Sequence, residues 1–463
     1  MGKAAREAAR QLGRGGGTSL PGLIAQRVDP NIIAELSAEI PDGIVVVSGS
    51  NGKTTTSRML RAMLVAAGQQ PIHNHEGANL ERGLATTLLV NTNALGRLQA
   101  TDKTIGLFEI DEGILPVFLD SIQPRIILLT NILRDQLDRY IEIDYLAELW
   151  RRRFVNLTPK TTLVYNADDP LLAELASKVD GIPKLSFGLE DLSVAREELE
   201  HASDSRRCLR CGKDFVYSHT FYGHLGHYVC PGCDFKRPTP DVAARDIKLK
   251  GMEGAELEVV SSKANAHIDV PVPGLHNVYN ALAASAAVVA LDLPLPTLAP
   301  AIGGVTSAFG RVERVRVDGT EVVIMLVKNP SGYNQVIRTV AGEPGAKSLM
   351  VALNDNQMDG RDVSWIWDVE FEMLRGQVST VVTSGLRAHD LALRLKHADW
   401  FVPRHDGDHV PELAIETDVI RALSIAIRQT PDDEPLYLLT TYTPMWELRE
   451  HLRKQGLVGA FYE

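Results

Sequence analysis

The 463 residues, 44% hydrophobic and 23% charged, are enough for two or three domains with a site between them. No apolar run approaches the ~20 residues of a membrane-spanning helix, and a net charge of −11 argues against sequence-independent nucleic-acid binding. The first 17 residues carry Lys3, Arg6, Arg10 and Arg14 among alanines and read as a basic helix; no apolar stretch or cleavage site follows to make them a signal peptide. Such a helix presents a solvated face, with contact to an anionic membrane surface as the alternative.

In chain order, Gly43 to Val47 is a β-branched run that ends in Ser-Gly-Ser-Asn-Gly, and Met59, Leu60, Met63 and Leu64 give Lys53 to Ala67 helical spacing. Similar runs at 104–108, 125–130 and 161–164 predict buried strands, and their alternation with helices predicts a mainly parallel α/β sheet. The pattern changes from about 191 to 242, where charged residues, the aromatics Phe215, Tyr217, Phe221 and Tyr222 and all four cysteines collect; this reads as an insertion. Gly274 to Asn277 then leads into an alanine-rich helix over 278–291. A second α/β unit begins near Thr306, with strands expected at 321–327, 348–353, 378–383 and 436–441. The expected domains are thus an N-terminal segment (1–40), a central ATP-binding domain (41–305) and a C-terminal domain (306–463).

Gly49-Ser50-Asn51-Gly52-Lys53-Thr54-Thr55 lies between a strand and a helix, where backbone N–H groups and a helix N-terminus cradle phosphate. Lys53 is placed to neutralise β and γ phosphates, and the Thr54 hydroxyl to bind Mg²⁺. The generic phosphate-loop pattern has glycine where this chain has Val47; the shorter Gly-x-x-Gly-Lys-Thr-Thr resembles the ATP loop of the Mur ligases and folylpolyglutamate synthase. That resemblance implies a carboxylate converted to an acyl phosphate and then attacked by an amine. It extends to Glu76-Gly77-Ala78-Asn79, similar to a Gly-x-Asn loop near the γ-phosphate, and to Phe108 to Glu112, in which Glu109 is expected to bind Mg²⁺. Arg134 to Tyr140 resembles the family's Asp-His-Leu-Asp, with Gln136 in place of the histidine. His276, Asn277 and Asn280 resemble the nucleotide-contacting His-Asn-x-x-Asn, and Phe309-Gly310-Arg311 the arginine turn that touches ATP. An Asp expected before His-Asn-Pro is replaced by Met325 to Pro330, which contains Lys328.

About 40 residues precede the loop, too few for the separate UDP-binding domain of most Mur ligases. The resemblance is to the MurT-like family over nearly the whole chain. That family carries a four-cysteine insertion here and C-terminal motifs matched by Lys328 to Gly332 and by Asp359-Gly360-Arg361-Asp362-Val363-Ser364-Trp365. It implies a Mur ligase-like central P-loop ATPase domain with a zinc-ribbon insertion, then a Rossmann-like α/β domain. It also implies amidation of the α-carboxylate of D-glutamate in the stem peptide of lipid II, at the inner face of the cell membrane. Ammonia would come from a GatD-like glutaminase partner whose triad acid this chain supplies. Asp362, with Asp359 next, is the expected acid, and each is also a plausible turn or cap residue.

Cys208-x-x-Cys211 and Cys230-x-x-Cys233 have the spacing of a four-thiolate structural Zn²⁺ site, so His219, His224 and His227 between them read as packing or surface residues. Two other readings fit part of the pattern. A stand-alone folylpolyglutamate synthase-like ligase would add an amino acid instead of ammonia. A nucleotide switch or nucleic-acid-binding zinc ribbon would explain the Gly-Lys-Thr and the cysteines, but not Glu109, His276, Asn280 and Arg311 in this order, nor the acidic balance.

Overall fold

The computed structural model describes residues 20–74, 78–134, 143–200, 203–305, 312–403, 410–432 and 434–459. Glu76, Gly77, Gln136 and Arg311 lie outside the described residues.

The first eleven strands are β1 (Ile44–Ser48), β2 (Gln70–His73), β3 (Thr104–Glu109), β4 (Ile126–Leu129), β5 (Thr162–Asn166), β6 (Lys184–Leu189), β7 (Val216–Tyr222), β8 (Leu225–Val229), β9 (Val242–Leu249), β10 (Ala255–Ser261) and β11 (Asn265–Val270). Nine of them form one sheet in the order β11-β10-β9-β6-β5-β4-β1-β3-β2. It is parallel from β9 to β2, with β10 and β11 added antiparallel at one edge. Every residue of β1, β3 and β4 is buried, as the apolar runs require of strands covered on both faces. Alternate side chains of β1 enter opposite layers. Val45 and Val47 pack against the helices Lys53–Ala66 and Leu275–Ala290, whereas Ile44 and Val46 join Leu84, Phe118 and Trp150 on the other face.

The second sheet is built from β12 (Glu313–Val317), β13 (Thr320–Leu326), β14 (Lys347–Ala352), β15 (Val378–Ser384), β16 (Glu412–Glu416) and β17 (Leu436–Thr440), in the order β12-β13-β17-β14-β15-β16. Only β12 is antiparallel. Both expected α/β sheets are therefore present, and among the described residues no helix is long and apolar enough to cross a membrane. The segment around Trp365 forms a 3₁₀ turn over Ser364–Asp368, not an α-helix.

Between β6 and β9 the chain leaves the large sheet, and β7 and β8 make a separate hairpin that carries the cysteines at its outer end. Its inner end, Tyr222-Gly223-His224, is wedged into the molecule. The buried Glu200 accepts hydrogen bonds from Gly223 N and from Arg338 and Asn334, which lie on the helix Pro330–Ala341 after β13. His224 is wholly buried with Nε2 3.4 Å from Asp169 Oδ1. Burial pushes the ring pKa down, but Asp169, with Asp204 and Glu200, outweighs it and the net shift is upward.

Candidate active site

β1 lies between β3 and β4, where the strand order reverses, so the turn after β1 opens at the crevice where parallel sheets bind ligands. Two glycines give that turn its shape. Gly49 has φ +132°, and a Cβ there would stand 2.3 Å from Thr130 Oγ1; Gly52 has φ +88°, and its Cβ would stand 2.1 Å from Asn280 Oδ1. No other residue fits either position without displacing a neighbour. The loop is further held by Asn131, whose O accepts from Ser50 N and whose Oδ1 accepts from Asn51 N, both at 2.9 Å.

Lys53 starts the following helix with its ammonium turned back over the loop. It donates to the carbonyls of Gly49 and Ser50 and pairs with Glu112 Oε2 at 2.8 Å. Both side chains of this pair are less than a tenth exposed. Burial pushes the Lys53 pKa down, yet Glu112, assisted by Glu109 and Asp111, reverses the shift and holds the ammonium charged. Thr54 Oγ1 donates to Glu109 Oε1 at 2.9 Å, which brings together the two expected Mg²⁺ ligands, hard oxygens on adjacent elements. Asn74 grips the Glu109 backbone from both sides, accepting from its N and donating to its O at 2.8 Å each. Asn79 holds the same strand end through its carbonyl, which accepts from Asp111 N.

Asn280 Nδ2 donates to Asn277 Oδ1 at 2.9 Å, and Asn280 Oδ1 accepts from Thr56 Oγ1. His276 sits beside them on the first turn of that helix, its ring 6.5 Å from that of Tyr222. Asn51, Gly52, Tyr222, His276 and Asn280 line one cleft, whose far wall is Met325 to Asn329 of the second sheet's domain. Thr55 is buried beneath the loop.

Sequence reading gave no role to Glu112, Asn74 or Tyr222. Glu112 stands three residues after Glu109 with nothing to mark it as the partner of Lys53. Tyr222 lies 171 residues from Asn51, yet its hydroxyl accepts from Asn51 Nδ2 at 2.7 Å; an aromatic in a cysteine-rich insertion carries no signal of that contact.

Neither C-terminal acid is among the residues that line this cleft. Asp359 is buried and accepts from Thr443 N and Oγ1, whereas Asp362 is exposed and accepts from Ser364 N at 2.8 Å. Hydrogen bonds from the Ser364 side chain and backbone hold the Asp362 carboxyl below its ordinary range.

The four cysteine sulfurs lie within 4.8 Å of one another, with Cys208 and Cys233 3.6 Å apart and Cys211 and Cys230 3.3 Å apart. A tetrahedron of thiolates ~2.3 Å from a zinc ion has edges of ~3.8 Å, so the donor set and its spacing fit that ion. With four sulfurs the coordination is complete, and the site is suited to structure and not to catalysis.

The Mur ligase middle domain family matches residues 47–228, and the MurT ligase C-terminal family matches residues 326–445. The chain is 35% identical over 425 residues to the lipid II isoglutaminyl synthase (glutamine-hydrolysing) subunit MurT of Staphylococcus aureus, spanning 91% of this chain and 90% of that one. It is 33% identical over 455 residues to the MurT subunit of Streptococcus pneumoniae, spanning 97% and 94%. Among solved structures it is similar to a pseudomurein peptide ligase type C from Methanothermus fervidus (TM-score 0.67, 21% identity, 89% of this chain and 79% of that one). It is also similar to MurF of Thermotoga maritima in complex with ADP (TM-score 0.61, 15% identity, 92% and 84%). Two domain matches in sequence order and this identity over nine tenths of both chains establish that the protein belongs to the MurT family of ATP-dependent Mur-type ligases.

Proposed function

We propose that this chain activates the α-carboxylate of D-glutamate in the lipid II stem peptide, using ATP and Mg²⁺, so that ammonia converts it to an amide. The observation that carries the reading is the pairing of Lys53 with Glu112 and of Thr54 with Glu109 beneath a glycine turn, a charged and hard-oxygen pair set for a metal-bound polyphosphate. When bound, the metal neutralises phosphate charge. Lys53 would turn from the loop carbonyls to β and γ phosphate oxygens, and Thr54 and Glu109, whose oxygens hydrogen-bond to each other, would hold the cation. Asn277, Asn280, His276 and Arg311 are assigned to the nucleotide, and Asn79 to the transferring phosphate side.

The carboxylate oxygen bonds to the γ-phosphorus as the bond to the leaving ADP oxygen breaks, which gives an acyl phosphate. Ammonia then forms the C–N bond as phosphate departs. Water competes for this intermediate, so the cleft must close, and the C-terminal domain (306–463) closing over the central one (41–305) serves that need. All four cysteines belong to one cluster suited to a metal ion, which leaves no thiol for glutamine hydrolysis; we therefore assign ammonia supply to a GatD-like glutaminase subunit. Asp362 is the acid proposed to orient that partner's histidine. The protein acts, on this reading, at the inner face of the membrane that holds its lipid-linked substrate.

Glu109→Gln is expected to keep the fold and lower ATP turnover coupled to amidation by about 10²-fold or more, since charge at the transferring phosphate is lost. Full amidation by folded Glu109→Gln would refute the assignment.

A further inference from the structure

The loop after β4 and the 3₁₀ turn Ser364–Asp368 belong to different domains, and one side chain joins them. Arg134 Nη2 donates to Asp368 Oδ2 at 2.5 Å across the interface. Asp204, from the cysteine insertion, aims that guanidinium: its Oδ2 accepts from Arg134 N at 2.8 Å, and its Oδ1 lies 3.3 Å from Arg134 Nε. The preceding residue is fixed as well, since Leu133 N donates to Ser50 Oγ of the phosphate loop at 3.0 Å. Arg134 therefore stands next to a contact with the phosphate loop and is itself paired with the C-terminal domain.

The turn that it grips is stiff. Arg394 donates to the carbonyls of Ile366 and Val369 at 3.2 and 2.6 Å, and the Ile366 side chain is buried. At the other end of the turn Asp362 accepts from Ser364 N. Asp362 and Asp368 thus bracket one short, braced piece of backbone, so a contact that holds Asp368 also places Asp362. The Arg134 charge reaches the Asp362 carboxyl too and, after the hydrogen bonds from Ser364, adds to holding it below its ordinary range.

We propose that Arg134 is a positioning residue for ammonia delivery: it fixes the Asp362 turn, and with it the partner's glutaminase site, relative to the phosphate loop where the acyl phosphate forms. The proposal rests on the two-chain reading above, in which Asp362 orients the partner's histidine. Each glutamine hydrolysed yields one glutamate and one ammonia, and each ammonia captured yields one amide and one phosphate. Ammonia that escapes to bulk water takes up a proton and no longer attacks, while water consumes the waiting acyl phosphate. A fixed spacing between the two sites keeps the counts of glutamate and amide equal.

The readout is the ratio of glutamate released to amide formed by the full chain in complex with a GatD-like glutaminase, supplied with lipid II, ATP, Mg²⁺ and glutamine. Arg134→Gln is expected to raise that ratio by about threefold, the scale of a partly exposed ion pair, while amidation driven by high ammonium stays within about twofold of the parent. Asp368→Asn is expected to do the same, and the double variant to be no worse than either single one, because all three remove one pair. Arg134→Lys keeps a charge opposite Asp368 and is expected to recover most of the coupling. An unchanged ratio in Arg134→Gln, additive losses in the double variant, or an equal fall with ammonium would overturn the proposal. An Asp362→Asn arm tests the underlying reading. If that variant hydrolyses glutamine at the parent rate, the acid is misassigned and both ideas fall; if it loses hydrolysis while Arg134→Gln keeps the parent ratio, only the role of Arg134 falls. The Asp368 side chain is 35% exposed, so Asp368→Asn keeps the fold, and the ratio is read on it where Arg134→Gln lowers the melting temperature.

Discussion

Asp359 and Asp362 stand three residues apart and do different things. Asp359 is buried, and both its oxygens are taken by Thr443, which ties the turn after β14 to the first turn of the helix Tyr442–Lys454. Asp359→Asn is expected to cost about 1–3 kcal/mol of stability through these bonds, read as a lower midpoint in urea. Asp362 is exposed, and its contact to Ser364 N leaves the carboxylate facing outward. Asp362→Asn is expected to lose glutamine-dependent amidation while keeping most of the activity driven by high ammonium. Equal loss with both nitrogen sources would place it in the ligase site, and no loss with either would reduce it to a cap. Lys53 shows a different constraint. The structure buries this side chain against Glu112, and Lys53→Ala strands that carboxylate. A stability loss of about 3–5 kcal/mol is expected alongside the loss of ATP turnover, so melting must be measured with activity.

Among the elements, the cysteine insertion has the widest reach. One end is the thiolate cluster; the other puts Tyr222 against Asn51 and Gly223 against Glu200, which the helix Pro330–Ala341 also grips through Arg338. Metal analysis is expected to find one zinc per chain. Cys208→Ser is expected to lower the melting temperature and raise the KM for ATP severalfold, about the effect of one hydrogen bond lost at the loop. Folded protein free of zinc would contradict this, and so would a destabilised variant with unchanged KM, which would detach the hairpin from the cleft.

Which elements sequence reading recovers follows from burial. β1, β3, β4 and β14 are covered on both faces, so they appear as apolar runs. β10, β11 and β16 are at or near sheet edges with mixed burial, and sequences such as Glu-Leu-Ala-Ile-Glu at 412–416 carry little that distinguishes them from a loop. The same logic holds in the site. The glycine turn, Lys53, Thr54 and Glu109 are legible because phosphate chemistry dictates local spacing. The pairings of Glu112 with Lys53 and of Tyr222 and Asn329 with Asn51 are set by tertiary approach across tens to hundreds of residues, so no local pattern names these partners.

At the scale of the whole molecule, two mainly parallel sheets meet over one cleft, with Lys328 and Asn329, after β13 of the second, reaching the phosphate loop of the first. On the proposed function, activation and amide formation share this one cleft, and the four cysteines, gathered in one cluster, leave no thiol for glutamine hydrolysis. The division of labour between two chains is therefore the central claim. Its most direct test is amidation of lipid II by the full chain with ATP and Mg²⁺, supplied with glutamine or with ammonium, in the presence and absence of a GatD-like glutaminase. The account predicts amide formation from ammonium by this chain alone, from glutamine only when the partner is added, and from neither without ATP. Amidation from glutamine by this chain alone, or addition of an amino acid in place of ammonia, would contradict it.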